Sequence, residues 1–376
     1  MKDRIGLHPF RWEKIFRSRQ DLLLLLFLLL VGLGAAALFS SSYHFCRIYL
    51  GDPLYMIRRQ LWWIGMGTLI AYVITRLPLS LIRDSVPWIL TGVVVLNLMT
   101  YLPGIGVIRG GAQRWIELFG VSFQPSELSK IALVLYLARM LEKNRKRLDD
   151  WTHALLPLYL VTLMMTAVIY FQNDFSSALF VFLLSLFMLF LAGVSFRHLG
   201  MLLGISVVPL VLMILARSYR IERILTWFSP MKDPSGAGYQ ILKAREALVQ
   251  GGLWGVGIGR GQEKIGFSAA HSDFVVAVIG EEAGFLGILL LLGLFYMLLV
   301  KGMALALSRR SLFSYYAVTG LVIAFFFQVL INFSVVCGLV PVTGIPLPFF
   351  SSGGSSTLTA FLMFGLIFNM AGEEKP

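Results

Sequence analysis

The run DLLLLLFLLLVGLGAAALF (Asp21–Phe39) carries no charge after its first residue. No helical or strand register gives such a segment a polar face, so it must be surrounded by apolar material on every side. The run LLSLFMLFLAGV (Leu183–Val194) poses the same demand. Hydrophobic residues make up 57% of the chain and charged residues only 14%, with a mean hydropathy of +0.79. Soluble domains carry about a quarter charged residues. The chain is therefore expected to be an all-α polytopic membrane protein.

About ten transmembrane helices are expected over a single membrane domain, 1–376: near 21–42, 60–76, 86–103, 125–141, 152–170, 176–195, 199–216, 273–299, 312–334 and 354–371. The first is longer than the apolar core of a signal peptide, roughly 7–15 residues, and reads as an uncleaved span. The net charge of +12 would suggest a nucleic-acid partner in a soluble protein. Here the basic residues sit between spans, so they report topology and anionic lipid, and no nucleic acid is expected. A cytoplasmic N-terminus (the basic segment 1–20) puts RWEKIFRSR (11–19), EKNRKR (142–147) and SRR (308–310) on one side, with both termini cytoplasmic.

That topology leaves one long extracytoplasmic loop, 217–272, between spans seven and eight. It is too small and too glycine-rich to hold its own core. RILTWFSP and YQILKAREALVQ within it suit short amphipathic helices on the membrane surface. The loop holds Arg217, Arg220, Arg223, Lys232, Lys243, Arg245, Arg260 and Lys264. A cationic surface against the topological bias suits a diphosphate or an anionic head group. Lipid phosphate alone is the blander alternative.

The glycines of WGVGIGRGQ (Trp254–Gln262) alternate but do not form G-x-G-x-x-G after a strand. A dinucleotide site is not expected, nor any organic cofactor. Close backbone approach, an anion nest and a flexible turn remain open for them. Two cysteines (Cys46, Cys337) read as unpaired thiols, and five histidines show no metal-ligand spacing.

Polar residues inside apolar spans carry the strongest functional signal. In QPSELSK (124–130), Pro125 suits a first helical turn, and Glu127 and Lys130 share a face at i,i+3. They either lock two helices or contact substrate. In QNDFSSA (172–178), Asp174 reads as an N-cap. GLVPVTGIPLPFFSSGGSS (338–356) cannot be regular helix, and irregular backbone at membrane depth marks a cavity rim. In AHSDFVVAVIGEE (270–282), Asp273 is either an N-cap or a partly desolvated general base, with Glu281 and Glu282 facing the bundle.

These residues also carry a resemblance. GAQRWIELFGVSFQPSELSKIAL, DPSGAGYQ, GGLWGVGIG, AHSDFVVAVIGEEAGFLG and PVTGIPLPFFSSGGSS occur between about residues 110 and 356. Together they resemble, in the same order, the motifs of the SEDS family (shape, elongation, division and sporulation), leaning to its FtsW branch. The resemblance implies a peptidoglycan glycosyltransferase of the bacterial inner membrane that polymerises lipid II at the outer face. It implies Asp273 as the essential aspartate, a base or a ligand for a divalent cation (Mg or Mn) or both. It carries the family's charged pair onto Glu127 and Lys130, and its loop arginine onto Arg114. Arg223, Lys243, Arg245, Lys264 and His271 are the further expected substrate contacts. The implied partners are lipid II, undecaprenyl diphosphate, a class B penicillin-binding transpeptidase, and divisome or elongasome proteins.

The chain departs from the family's usual pattern at Ser272 for threonine, at Asn173 for proline, at Ser352 for tyrosine, and in KAREAL (243–248). The rivals are a lipid II flippase, which would use the buried charges as a path, and a non-catalytic divisome scaffold. A flippase needs charges through both leaflets, and a scaffold gives position 273 no reason to be acidic.

Overall fold

A computed structural model of the protein describes residues 19–372 apart from 119, 149, 235, 237 and 268. The basic N-terminal segment therefore lies outside the described residues except for Arg19 and Gln20. Ten long helices coincide with the ten expected spans: α1 (Arg19–Phe45), α2 (Tyr55–Arg76), α3 (Leu79–Met99), α4 (Pro125–Asn144), α5 (Leu156–Phe171), α6 (Phe175–Leu191), α7 (Phe196–Leu215), α10 (Val275–Leu307), α11 (Leu312–Val336) and α12 (Gly354–Ala371). Between α7 and α10 lie two shorter helices, α8 (Ser218–Phe228) and α9 (Tyr239–Gly251), at the expected amphipathic segments. Among the described residues, seven helices are long and apolar enough to cross a membrane by length and composition alone. Of the remaining three, α6 is apolar but only 17 residues long, while α2 and α4 carry several charges.

Chain direction alternates from helix to helix, so the loops gather at two ends. At one end Arg309 donates to the carbonyls of Met370 and Ala371, closing the C-terminus of α12. The other end holds the 217–272 loop, the coil between α11 and α12, and a feature the sequence reading lacked. This is a three-stranded antiparallel sheet, β1 (Gly106–Arg109), β2 (Ala112–Leu118) and β3 (Val121–Phe123). Gly110 and Gly111, both at positive φ, turn β1 into β2. Helix starts also differ from expectation: α3 begins at Leu79 and runs through Pro87, which a membrane helix tolerates when neighbours re-satisfy the backbone.

The core runs along α4, α11 and α12. Twelve of the sixteen residues Ser126–Leu141 of α4 are buried, and the Glu127 and Lys130 side chains are sealed among them. The irregular segment after α11 is pinned to this core by Leu347, Phe349 and Phe350. The Phe349 ring meets Phe27, Phe325 and Phe361 at centroid distances of 5.3, 5.7 and 5.9 Å. These contacts hold Phe349 at φ 70°, a conformation a phenylalanine rarely adopts.

The eighth span is not one rod. Gly284 (φ 70°, ψ −172°) breaks α10 two residues after Glu282. The break would strand backbone groups in apolar surroundings, and the glycine turn after α9 takes them up. Val256 and Gly257 donate to the Glu281 and Glu282 carbonyls at 2.9 and 3.0 Å. Phe285 and Leu286 donate to the Gly252 and Leu253 carbonyls at 2.9 and 3.3 Å. The turn thus stands in for a missing helical turn. A β-carbon at Gly255 would stand 2.2 Å from the Glu282 carbonyl oxygen, so glycine is required there for close approach.

Candidate active site

Asp273 closes the long loop one residue ahead of the α10 N-cap, Phe274, which receives no side-chain cap. The N-cap reading of Asp273 is therefore not realised. Instead, three successive carbonyls are held by α11 and the coil that follows it. Ser352 N–H donates to the His271 carbonyl at 2.9 Å, the Ser351 hydroxyl to the Ser272 carbonyl, and Asn332 Nδ2 to the Asp273 carbonyl at 2.9 Å. Asn332 also donates to the Ile345 carbonyl at 2.9 Å, tying the coil to the same point. Backbone is clamped here, which leaves the carboxylate free for chemistry. Among the described residues nothing donates a hydrogen bond to it. Gly344 leaves room beside it: a β-carbon there would lie 3.6 Å from Asp273 Oδ2.

Burial pushes the Asp273 carboxyl above its ordinary value of 3.8, and the guanidinium groups of Arg114 and Arg223 oppose the rise. Arg114 projects from β2 and is aimed by Asp174, with Nη1 3.0 Å from Oδ1. Asp174 is fixed in turn by Gln124 Nε2 at 3.0 Å and the Ser126 hydroxyl at 3.3 Å. It also accepts from Ser177 N–H at 3.3 Å, which is the N-cap expected of it. Arg223 comes from α8 and donates to the Val342 carbonyl at 3.3 Å, while Trp227 donates to the Gly338 carbonyl at 2.8 Å. Both contacts seat α8 on the coil. Arg245 is exposed and lies against Gly338 from α9.

The other expected substrate contacts have partners of their own within the protein. Lys243 is tied to Glu246 and Glu263, each at 2.8 Å, and these carboxylates raise its pKa. Lys264 is buried against Glu282 at 2.5 Å and donates to Ser40 of α1 at 3.0 Å. Glu282 thus accepts from Ser40 of α1 and neutralises a loop cation as well. Glu281 accepts from the Glu263 amide at 3.0 Å and also from the Gln262 amide. The His271 ring packs on Phe45 at 4.6 Å, and burial lowers its pKa to about 4. A neutral imidazole offers an anion no charge.

Glu127 and Lys130 pair at 2.8 Å inside the bundle. Lys130 also bonds Gln328 Oε1 at 2.9 Å and lies 5.0 Å over the Phe180 ring. Gln328 Nε2 reaches the Pro346 carbonyl at 2.9 Å and Ser356 at 3.1 Å. The pair therefore supports the coil from beneath. Gln328 and Asn332 were missed by the sequence reading. Two amides at i,i+4 in an apolar span are the signal that could have found them.

A carboxylate that feels the charges of Arg114 and Arg223 is a poor divalent-cation site, since both guanidinium groups repel a cation held there. Among the described residues no three His, Cys, Asp or Glu side chains converge. What the arrangement can do is accept a proton at Asp273 next to a cationic seat for an anion.

Comparison with known proteins bears on which anion. The family described as "Cell cycle protein", covering FtsW, RodA and SpoVE, matches residues 20–376. The probable peptidoglycan glycosyltransferase FtsW of Trichlorobacter lovleyi is 34% identical over 369 residues, 96% of each chain. Peptidoglycan glycosyltransferase MrdB of Escherichia coli is 33% identical over 97% of this chain and 96% of its own. Stage V sporulation protein E of Bacillus subtilis is 31% identical over 94% of this chain and 98% of its own. Among solved structures, RodA of Thermus thermophilus superposes with a TM-score of 0.70 at 28% identity, over 94% of this chain and 97% of that one. A chain of a peptidoglycan synthase complex that coordinates polymerization and crosslinking reaches 0.76 at 29% identity, over 93% of this chain and 97% of that one. The chain is a multi-pass membrane protein of the FtsW/RodA/SpoVE family.

Proposed function

We propose that this protein is a peptidoglycan glycosyltransferase that polymerises lipid II at the outer face of the bacterial inner membrane. The observation that carries the reading is the clamped Asp273 backbone, whose carboxylate accepts no hydrogen bond among the described residues and feels the charges of Arg114 and Arg223. The C4 hydroxyl of an acceptor sugar attacks C1 of the donor. A C1–O bond forms with inversion, the C1–O bond to phosphate breaks, and undecaprenyl diphosphate leaves. The hydroxyl proton passes to Asp273. Arg114 and Arg223, with the exposed Arg245, balance the charge growing on the diphosphate. Purified protein given labelled lipid II in vesicles tests this: glycan polymer is expected, and lipid movement between leaflets without polymer would replace the reading by a flippase.

The pH profile should show the base. A carboxyl whose pKa lies above 3.8 loses activity as pH falls through that raised value. Arg114→Gln removes a cation that holds the pKa down, so the acid limb of the polymerisation rate should move to higher pH. A shift to lower pH would exclude Asp273 as the titrating group.

The same reading places both termini in the cytoplasm, supported by the basic clusters at 142–147 and 308–310. In cells, a cysteine at Lys146 should resist a membrane-impermeant maleimide and one at Lys232 should react. Reaction of both, or neither, would refute that orientation. A single-pass class B transpeptidase is the proposed partner, supported by the similarity to the polymerization–crosslinking complex.

A further inference from the structure

We propose that the glycine turn 252–258 is a lipid-facing insert that seats Leu253, Trp254, Val256 and Ile258 at the head-group–acyl boundary of the site-side leaflet. This goes beyond the transferase reading and stands or falls without it. Trp254 is 76% exposed and Ile258 86%. A turn that only joined two helices in water would carry polar residues at those positions. The four apolar side chains on this short turn are exposed, and so are Phe285 and Leu289 of α10, whose Phe285 amide bonds the turn.

Depth follows from the break in α10. The part after Gly284, 285–307, is roughly 35 Å long at 1.5 Å per residue, which is enough to cross a hydrocarbon layer by itself. The break, and the turn bonded to it, therefore sit at the membrane boundary. Irregular backbone is excluded from lipid unless its polar groups are satisfied. Here the broken helix satisfies four of them: the Gly252 and Leu253 carbonyls and the Val256 and Gly257 amides bond to α10. Tryptophan favours this layer. The exposed Arg260 next along the chain suits the phosphates just above it.

The test uses the full chain in phosphatidylglycerol/phosphatidylethanolamine vesicles with Cys337→Ala, since Cys46 is buried. A nitroxide on Ile258→Cys should collide with oxygen several-fold more, relative to a water-soluble nickel chelate, than one on the exposed Gln250→Cys. A label at 258 that prefers nickel would place the turn in water. A label shielded from both would mean protein covers it, and either result overturns the proposal. As an independent readout, Trp254→Phe should lower fluorescence quenching by lipids brominated near the head group. Unchanged quenching would also count against the insert.

Discussion

Asp273→Asn should lower lipid II polymerisation by roughly 10²–10⁴-fold while the melting temperature stays at or above that of the unaltered protein. Asparagine keeps the size and backbone of aspartate, and the three clamped carbonyls at 271–273 do not involve the side chain. Rate falls because an amide cannot accept the acceptor's proton. The stability side has a definite sign. A carboxyl whose folded pKa is raised favours its neutral form in the fold, so its charge opposes folding at neutral pH. A neutral amide removes that opposition. Polymerisation within about tenfold of the unaltered protein, outside the span expected for loss of a base, would remove Asp273 from the reaction. A sharply lower melting temperature would instead make it structural.

Glu127→Ala should be the most damaging single change away from the reacting atoms, costing roughly 3–5 kcal/mol through an uncompensated buried ammonium. Lys130 is 1% exposed and, among the described residues, keeps Gln328 and the Phe180 ring as partners once the carboxylate is gone. The loss should travel through Gln328 to Pro346 and Ser356, loosening the coil beside Asp273. Removing both charges separates pairing from chemistry. Glu127→Gln with Lys130→Met should recover most of the melting temperature. Activity that returns with stability would assign the pair a supporting role. Activity still absent in a stable double variant would mean the charges themselves act on substrate.

Much of the architecture was legible because lipid punishes polarity so strongly. Runs such as Asp21–Phe39 admit one reading, and each expected span has its helix. Helix ends were less legible: α3 begins ahead of Pro87 because a proline's lost bond matters less where neighbours pack around it. The sheet was signalled by Gly110–Gly111 between VIR and AQRWIEL, but a small sheet draws on the helices beneath it and short strands alone are weak evidence. At the site, a costly carboxylate at 273 and an ion pair at 127 and 130 were visible in isolation. Their connection was not. Arg114 reaches Asp273's surroundings only because Asp174, sixty residues on, aims it. Lys264 lost its expected role because Glu282 meets it in space. Spacing along a helix revealed the local pair at 127 and 130, but pairs made between distant segments have no such signal.

The exchange of bonds at Gly284 makes that part of the molecule behave as a zip fastener with no half-open position. Each amide the turn gives to the helix is matched by one the helix returns. Peeling the turn away bares donors and acceptors on both sides of the exchange at once. Glu281, Glu282 and Lys264 lie on the same seam, so they part together or not at all. The nine residues of α10 that lead from Asp273 down to the break are thereby riveted to the loop rather than to the stretch that crosses the lipid. Thinning or tilting of the surrounding bilayer can lean on that lower stretch while the aspartate keeps its place.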